Sequence, residues 1–395
     1  MSQTTARLSE AAGEPVPAIA GIAAAPAMDS RPPPGRVSAG PLGWMRQNLF
    51  GSIPSAIATV LLAVLLVNWA ISFFEWGVVH AVWTVPQTAT GGDPSSCRAV
   101  QGVGACWAVV TEKYRLIFFG RYPFDQQWRA ALVVGLFIGL YAISAMRRFW
   151  RKELLLIWAG TLFLIGVLMW GGVLGLPYVP QDSWGGLPIT LILATFGLAL
   201  AFPLAVVVAL GRRSTQLPAV KFLCVIYVEL IRGVPLITLL FMASVMFPLF
   251  MPPGFNPDKL LRAQVAVILF AAAYLAEVVR GGLQALSKGQ YEAADALGLT
   301  YWQKTRLIIL PQALRMVIPP LVNTFIGFFK DTSLVLIIGI FDLLLAGKVA
   351  LAEPAWQAYS TEVYLLLAAV YFVFCYVMAR YSRGIEHDLG RSTQR

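Results

Sequence analysis

The sequence EAADALGLTYWQKTRLIILP, residues 292–311, predicts a sharp helical elbow between two membrane spans. Glu292 opens a short helical run, and Gly298 follows it at a position where a residue without a Cβ atom favours a left-handed turn. Thr300 has the N-cap position of a capping box, with a glutamine three residues later. Pro311 is expected to end the second helix, because proline interrupts the backbone hydrogen-bond ladder.

The first helix of this elbow carries small and acidic side chains. Ala293 and Ala294 are small enough to let a partner approach closely. Glu292 and Asp295 are three residues apart and are therefore neighbours on the helix surface. Two interpretations remain open: a charged docking surface, or a plain cytoplasmic loop whose acids favour a helix N-terminus.

The composition is typical of an all-α polytopic membrane protein. The chain has 395 residues, of which 58% are hydrophobic and 13% are charged, and its mean hydropathy is +0.71. The net charge of +10 comes from basic residues near span ends, which indicates membrane orientation rather than nucleic-acid binding. The sequence has no G-x-x-x-x-G-K-[ST] phosphate loop, so any ATP that drives this protein is hydrolysed by another chain.

Eight membrane spans are predicted, with both termini in the cytoplasm. The basic cluster at residues 147–152 sets this orientation, because short loops rich in arginine and lysine face the cytoplasm. The fifth span is expected to break at residues 232–235 and the seventh at residues 330–333. The predicted spans are residues 53–74, 130–146, 154–174, 187–210, 220–250, 264–279, 317–345 and 363–378.

The chain is predicted to have four parts. They are a disordered cytoplasmic tail rich in Ala, Pro, Gly and Ser (1–48), three accessory transmembrane helices with a long periplasmic loop at 75–128 (49–183), a five-helix core that holds the elbow loop 287–311 (184–385), and a cytoplasmic tail (386–395). Cys97 and Cys106 lie in the periplasmic loop. They either form a disulfide in that oxidising compartment or remain free thiols.

Two pairs of charged residues at span ends have the spacing of ion pairs. An ionisable residue inside a span costs about 2.5–3.5 kcal/mol and therefore faces the protein interior or a cavity. Glu229 and Arg232 are three apart just before Pro235, and Glu277 and Arg280 are three apart at an inner span end. These residues are interpreted as structural polar groups.

Four polar residues, Lys330, Asp331, Thr332 and Ser333, lie near the middle of the predicted seventh span, about 20 Å along a helix. Broken helices at mid-membrane are where transporters bind charged substrates. An amino acid would place its carboxylate against Lys330 and its ammonium against Asp331, with Asn323 as a further polar contact. The alternative is an internal Lys–Asp pair that closes a gate.

The elbow resembles the EAA loop of ABC-importer permeases. The Glu-Ala-Ala triplet, the glycine and the final Ile-x-Leu-Pro all match that pattern with no departure. In that family, the short helix docks in a groove of the ATPase subunit. The residues to which the resemblance assigns ATPase coupling are Glu292, Ala293, Ala294, Asp295, Gly298, Ile308, Leu310 and Pro311.

A wider region, residues 184–383, resembles the polar amino-acid family of ABC permeases, the His/Glu/Gln/Arg/opine type. The matching segments are WGGL (184–187), ELIRGVPL (229–236), AEVVRGG (276–282) and FKDTSLVLIIG (329–339). The five-span core of that family corresponds to predicted spans four to eight. The three additional spans and the segment CRAVQGVGACWAV resemble the M-type permease of general L-amino-acid importers.

The resemblance implies a non-enzymatic subunit that carries L-amino acids across the bacterial inner membrane. ATP and Mg would be bound by a separate ATPase dimer, and this chain would hold no cofactor or metal. The other implied partners are a periplasmic amino-acid-binding protein and a second, related permease, either a different chain or an identical one. The spans contact membrane lipid, and no nucleic-acid partner is expected.

Two other classes of function are compared with this hypothesis. An ATP-independent secondary transporter or channel would need acidic residues deep in the membrane, and only Asp331 lies that deep in the predicted spans. A membrane-embedded enzyme would need a nucleophile with a base, or a set of metal ligands. The predicted spans contain neither.

Overall fold

The structure is a computed structural model that describes residues 40–88, 91–150, 152–255 and 257–393. Within these residues, seven helices are long and apolar enough to cross a membrane, and a bent helix pair makes up to eight crossings. This confirms the all-α polytopic fold. Most of the predicted N-terminal disordered tail lies outside the described residues.

The chain divides into two compact units between Phe74 and Glu75. The first unit contains α1 (Pro41–Asn48) and α2 (Ile53–Phe74). The bounds of α2 are those of the predicted first span. By contrast, α1 occupies residues that composition assigned to a disordered tail. Its proline stands at the start of the helix, where the missing N–H leaves no hydrogen bond unmade.

The second unit contains the remaining described elements. They are the hairpin β1 (Gln87–Thr88) and β2 (Gly91–Gly92), and the helices α3 (Ser95–Ala99), α4 (Ala108–Phe119), α5 (Gln127–Ala145), α6 (Glu153–Trp170), α7 (Leu187–Arg212), α8 (Pro218–Arg232), α9 (Leu236–Phe241), α10 (Lys259–Ala285), α11 (Lys288–Ala296), α12 (Tyr301–Lys304), α13 (Leu310–Asp331), α14 (Leu343–Ala350) and α15 (Ser360–Thr393). The shorter turns are π-helical at Glu75–Val79, Met242–Met246 and Thr305–Ile309, and 3-10 at Phe124–Gln126, Arg147–Phe149, Gln181–Ser183, Phe247–Phe250, Thr332–Ile338 and Gln357–Tyr359.

Helices α7 and α10 pack against each other at the centre of the second unit. Both helices are rich in buried alanines, among them Ala201 and Ala205 of α7 and Ala272 and Ala276 of α10. Small side chains let two membrane helices approach closely. The resulting van der Waals packing stabilises the pair, because in lipid the hydrophobic effect does not drive helices together. α13 packs on α10, and α15 packs on α13, so the core has a layered arrangement.

The predicted break in the fifth span is confirmed. Helix α8 ends at Arg232, and α9 begins after Pro235 with the helix axis bent by 102°. Proline cannot donate the hydrogen bond that would continue α8, so the chain turns at this position. The bent pair lies beside α10.

The seventh span differs from its prediction at both ends. The second helix of the elbow and the span form one 38-residue helical segment, Tyr301–Ile338, so Pro311 does not end a helix. The π-helical turn Thr305–Ile309 ends one residue before Leu310–Pro311, and its wider hydrogen-bond pattern, in which Leu310 N–H donates to the Thr305 carbonyl, accommodates the missing N–H of the proline. The segment ends at Ile338 rather than at residue 345, because Gly339 is left-handed with φ +73°.

The disulfide between Cys97 and Cys106 marks one end of the second unit, called here the disulfide end. The backbone N–H of Cys106 donates to the buried Glu362 carboxylate at 2.8 Å, which ties this loop to the start of α15. α4 packs on α14 and on the start of α7. The other end of α7 reaches α11, so the elbow lies at the opposite end, called here the elbow end. α7 has 26 residues and is therefore about 39 Å long.

Arg129 of α5 ties that helix to α6. The side chain is fully buried, and its Nε donates to the Leu168 carbonyl at 2.7 Å while Nη1 donates to the Pro177 carbonyl at 3.0 Å. The Tyr122 hydroxyl also donates to the Leu168 carbonyl, at 3.1 Å. These donors satisfy the Leu168 carbonyl at the end of α6, where no intrahelical partner remains, and the Pro177 carbonyl in the connection that follows.

Candidate functional site

The elbow begins with α11, which starts at Lys288, four residues before the predicted opening at Glu292. Gly298 has φ +68°, which confirms the left-handed turn. The capping box is also present: the backbone N–H of Thr300 donates to the Gln303 side-chain oxygen at 2.9 Å, and Gln303 N–H donates to the Thr300 hydroxyl at 3.4 Å. The turn therefore has two local determinants, a glycine and a reciprocal cap.

The elbow exposes only some of the residues that were predicted to dock. Glu292 and Ala293 are exposed, and the exposed Asp295 carboxylate pairs with the Lys304 ammonium within the elbow. Ala294 is 1% exposed, so it packs inside the chain and cannot line a docking surface. The helix turns Ala294 inward because it lies next to Ala293 but about 100° around the axis.

Two exposed apolar side chains on the elbow were missed by sequence reasoning. Leu297 is 74% exposed and Trp302 is 71% exposed, on either side of the Gly298 turn. Large apolar groups on an otherwise polar loop are typical of an interaction surface. The sequence could have indicated this surface, because two large apolar residues flank the predicted turn of an otherwise polar loop.

A cluster of three arginines and two glutamates joins α7, α8 and α10 near the elbow end. Arg212 donates to Glu277 at 2.7 Å and to Glu229 at 2.8 Å, and Arg280 also pairs with Glu277. The predicted Glu277–Arg280 pair is confirmed. The predicted Glu229–Arg232 pair is wrong, because packing of α8 on α7 brings Arg212 to Glu229 instead.

Arg232 turns toward α10. Its guanidinium lies 3.8 Å from the Glu277 carboxylate and 5.4 Å from the Tyr274 ring centroid. A cation over an aromatic face gains electrostatic attraction from the ring. Arg232 therefore belongs to the same cluster, held by α10 rather than by its own helix.

The predicted substrate residues lie where α13 changes into the 3-10 turn. Lys330 and Asn323 are exposed and seven residues apart, so they share one face of α13. Asp331 and Ser333 are partly buried. Thr332 is 2% exposed and its hydroxyl donates to the Phe329 carbonyl at 2.7 Å, so this residue is not available to a substrate.

The internal Lys330–Asp331 pair, the alternative to substrate contact, is not found among the described salt bridges. The depth also differs from the prediction. Since the segment begins at Tyr301 and ends at Ile338, Lys330 lies closer to the disulfide end than to its middle.

Sequence reasoning also missed a buried polar group that follows this segment. Asp342 is fully buried and caps α14 by accepting from the backbone N–H groups of Leu344 and Leu345 at 3.1 and 2.9 Å. It lies outside the candidate spans, and burial raises its pKa to about 6. The backbone N–H of Leu343, the residue directly after Asp342, donates to the buried Thr190 hydroxyl at 3.1 Å. This cap fixes the chain directly after the Lys330 segment.

An apolar groove of about 510 Å³ lies between the bent pair and α10. Its walls include Met242, Phe250 and Leu269, and Arg262 is the charged residue among them. The Arg262 guanidinium donates to the Ser244 carbonyl at 2.7 Å. None of the predicted substrate residues lines this groove, so the groove and the Lys330 segment are separate features.

Comparison with known proteins agrees with this arrangement. Residues 215–390 match the family described as "Binding-protein-dependent transport system inner membrane component". The inner membrane amino-acid ABC transporter permease protein YhdY of Escherichia coli K12 is 47% identical, over 87% of this chain and 91% of that protein. The chain belongs to the permease family of amino-acid ABC importers.

Further similar proteins cover nearly the whole chain or about half of it. BztC of Rhodobacter capsulatus, a glutamate/glutamine/aspartate/asparagine transport system permease protein, is 37% identical over 91% of this chain and 96% of that protein. A crystal structure of an amino acid ABC transporter with histidines is 30% identical, with a TM-score of 0.46 over 51% of this chain and 92% of that chain.

Family membership places this permease in the inner membrane as a multi-pass transport subunit rather than an enzyme. It also implies three kinds of partner: an ATPase, a binding protein and a permease partner.

Proposed function

We propose that this permease subunit carries L-amino acids inward across the membrane and that a separate ATPase dimer, which binds the ATP and Mg, docks on its elbow. The exposed surface at Glu292, Ala293, Leu297 and Trp302 carries this proposal, because it offers charge, a close approach and large apolar groups at one tip. ATPase closure would push the elbow and so switch the access of the substrate path. The substrate class follows from the names of YhdY and BztC.

Orientation follows from the same proposal. The elbow end would face the cytoplasm, and the disulfide end would face the periplasm, where disulfides persist and the binding protein delivers its amino acid. The partner permease would be a related, non-identical chain. Residues 184–385 would form the transport core, and residues 49–183 would form an accessory region.

The proposed substrate contacts are those that the structure leaves accessible near the 3-10 turn. Lys330 would bind the carboxylate of the amino acid, and Asp331 would bind its ammonium group, with Ser333 and Asn323 as polar neighbours. Thr332 is left out because its hydroxyl is buried.

A charge reversal at the elbow tests the docking role. In a chain co-expressed with its ATPase and partner permease, Glu292→Arg is expected to abolish co-purification of the ATPase and the substrate-stimulated hydrolysis. Asp182→Arg is the matched control, since Asp182 is an exposed acid just before α7, at the disulfide end. Normal stimulation in the Glu292 variant would contradict the docking role.

Reconstitution separates this proposal from an ATP-independent carrier. Vesicles that hold this chain without the ATPase are expected to show no uphill uptake of amino acids. Vesicles that hold the whole complex, with ATP supplied on the side of the membrane where the ATPase subunits lie, are expected to show uphill uptake of amino acids. Uphill uptake by the chain alone would overturn the proposal.

A further inference from the structure

We propose that Arg213 and Tyr291 form a strut that passes the displacement of α11 to the ends of α7 and α10. This inference rests on the proposed function, in which the ATPase moves the elbow. Arg213 is the residue that caps the end of α7, and Tyr291 directly precedes Glu292 in α11. The two side chains therefore connect the first part of the elbow to a core helix.

The strut consists of several contacts around one carbonyl. Nη1 of Arg213 donates to the Tyr291 hydroxyl oxygen at 2.8 Å and also to the Leu283 carbonyl. The Tyr291 hydroxyl donates to the same Leu283 carbonyl at 3.0 Å. The Arg213 guanidinium lies 5.3 Å from the centroid of the Tyr291 ring. Leu283 is in the last turns of α10, so α7, α10 and α11 meet at this point.

The residue next to Arg213 connects the same helix end to the arginine–glutamate cluster of α7, α8 and α10. Arg212 has a side chain only 11% exposed, and it bonds Glu277 of α10 and Glu229 of α8. Successive helix residues point about 100° apart, so one arginine faces the elbow while the other faces the bundle. Any shift of the α7 end must therefore strain both sets of contacts together.

The other polar contacts of α11 among the described residues join it to the helices that follow it in the chain. Gln290 accepts from Gln312 of α13 at 3.1 Å, and Asp295 pairs with Lys304 of α12. Both partners belong to the segment that follows the elbow in the chain. Among the polar contacts of the described residues, the contacts of Tyr291 with Arg213 and with the Leu283 carbonyl are the ones that join α11 to helices preceding the elbow. They can thus carry force into α7 and α10 that the α12–α13 segment does not carry.

The test is the number of amino acids imported per ATP hydrolysed by the complete complex in vesicles. The probe is whichever radiolabelled common amino acid the wild-type complex imports fastest. Tyr291→Phe and Arg213→Gln should retain the ATPase and its hydrolysis, because Glu292 and the exposed tip are unchanged. Import per ATP should fall roughly fivefold or more, which is the low end of typical coupling between sites.

Three variants show whether the loss comes from this contact. Arg213→Lys should recover part of the coupling, because an ammonium group can still donate to the Tyr291 hydroxyl. The double variant Arg213→Gln with Tyr291→Phe should be little worse than either single variant, since each substitution alone already breaks the Arg213–Tyr291 contact. Tyr376→Phe and Arg380→Gln, both at exposed positions of α15, should leave the ratio unchanged.

Each contrary outcome has a distinct meaning. Unchanged import per ATP in Tyr291→Phe, additive losses in the double variant, or loss of ATPase binding in both single variants would overturn the strut. The last result would show a contact that only holds the fold. Retention of stimulated hydrolysis by Glu292→Arg, measured in parallel, would instead overturn the proposed docking function.

Discussion

At the scale of single residues, the sequence showed which charged residues matter to the structure, but often not whether they are buried or which groups they contact. Arg129 is an example, since it reads as one more basic residue at the end of a long periplasmic loop. In the structure it is fully buried and donates to the carbonyls of Leu168 and Pro177. Sequence could not show this, because both acceptors are backbone groups that any residue type supplies.

The Lys330 segment shows the same limit and carries a prediction at this scale. Lys330→Ala is expected to raise the KM for the transported amino acid roughly tenfold or more, because a lost charge-assisted hydrogen bond costs about 1.5–3 kcal/mol. Uptake by the complete complex in vesicles measures it. The ATPase should still co-purify, since the elbow is unchanged.

A lysine at another exposed position provides the control. Lys348→Ala, in α14, should leave the KM unchanged. If the Lys330 variant had a normal KM for acidic, basic and neutral amino acids alike, the substrate site would lie elsewhere in the protein.

At the scale of elements, the elbow shows which signals are local. The Gly298 turn and the Thr300 capping box follow from neighbouring residues, and both were predicted. The continuation of the helix through Pro311 was not predicted, because this continuation depends on the π-helical turn Thr305–Ile309 that precedes the proline. A proline ends a helix only where its missing N–H would have been used.

Two glycines of the elbow give a matched pair of substitutions. A Cβ atom at Gly298 or at Gly289 would meet no atom within 4 Å, but only Gly298 has a left-handed φ, of +68°. Gly298→Ala should therefore cost about 1 kcal/mol through backbone strain alone. Gly289→Ala, inside α11, should stabilise the helix by roughly 0.5–1 kcal/mol.

Amide hydrogen exchange across residues 288–297 measures both effects. Exchange of α11 should become faster in the Gly298 variant and slower in the Gly289 variant. Equal rates in the two variants would mean that the turn is not held by the conformation of Gly298.

At the scale of the whole molecule, the number of crossings and the position of the elbow were predictable, because each depends on runs of apolar residues and on charge at their ends. Membrane orientation belongs to this scale as well. An impermeant maleimide should label Asp182→Cys in intact spheroplasts of cells that express this chain alone. Leu297→Cys should be labelled only after permeabilisation, since the elbow end is expected to face the cytoplasm.

The unsubstituted chain measures the background of this labelling experiment. Its two free cysteines, Cys224 and Cys375, are partly buried, and Cys97 and Cys106 form the disulfide. Labelling of both introduced cysteines from the same side would contradict the orientation and, with it, the place of ATPase docking.

The sequence alone determined the class of protein, the approximate positions of the spans, the broken fifth crossing and the elbow with its glycine and cap. These features follow from apolar length and from residues a few positions apart. Only the tertiary structure decided that Glu229 pairs with Arg212, that Ala294 faces inward, that Thr332 is buried and that Arg213 holds Tyr291. The physical reason is that each of these partners comes from another helix or from the way helices pack, and spacing along one helix does not encode its neighbours.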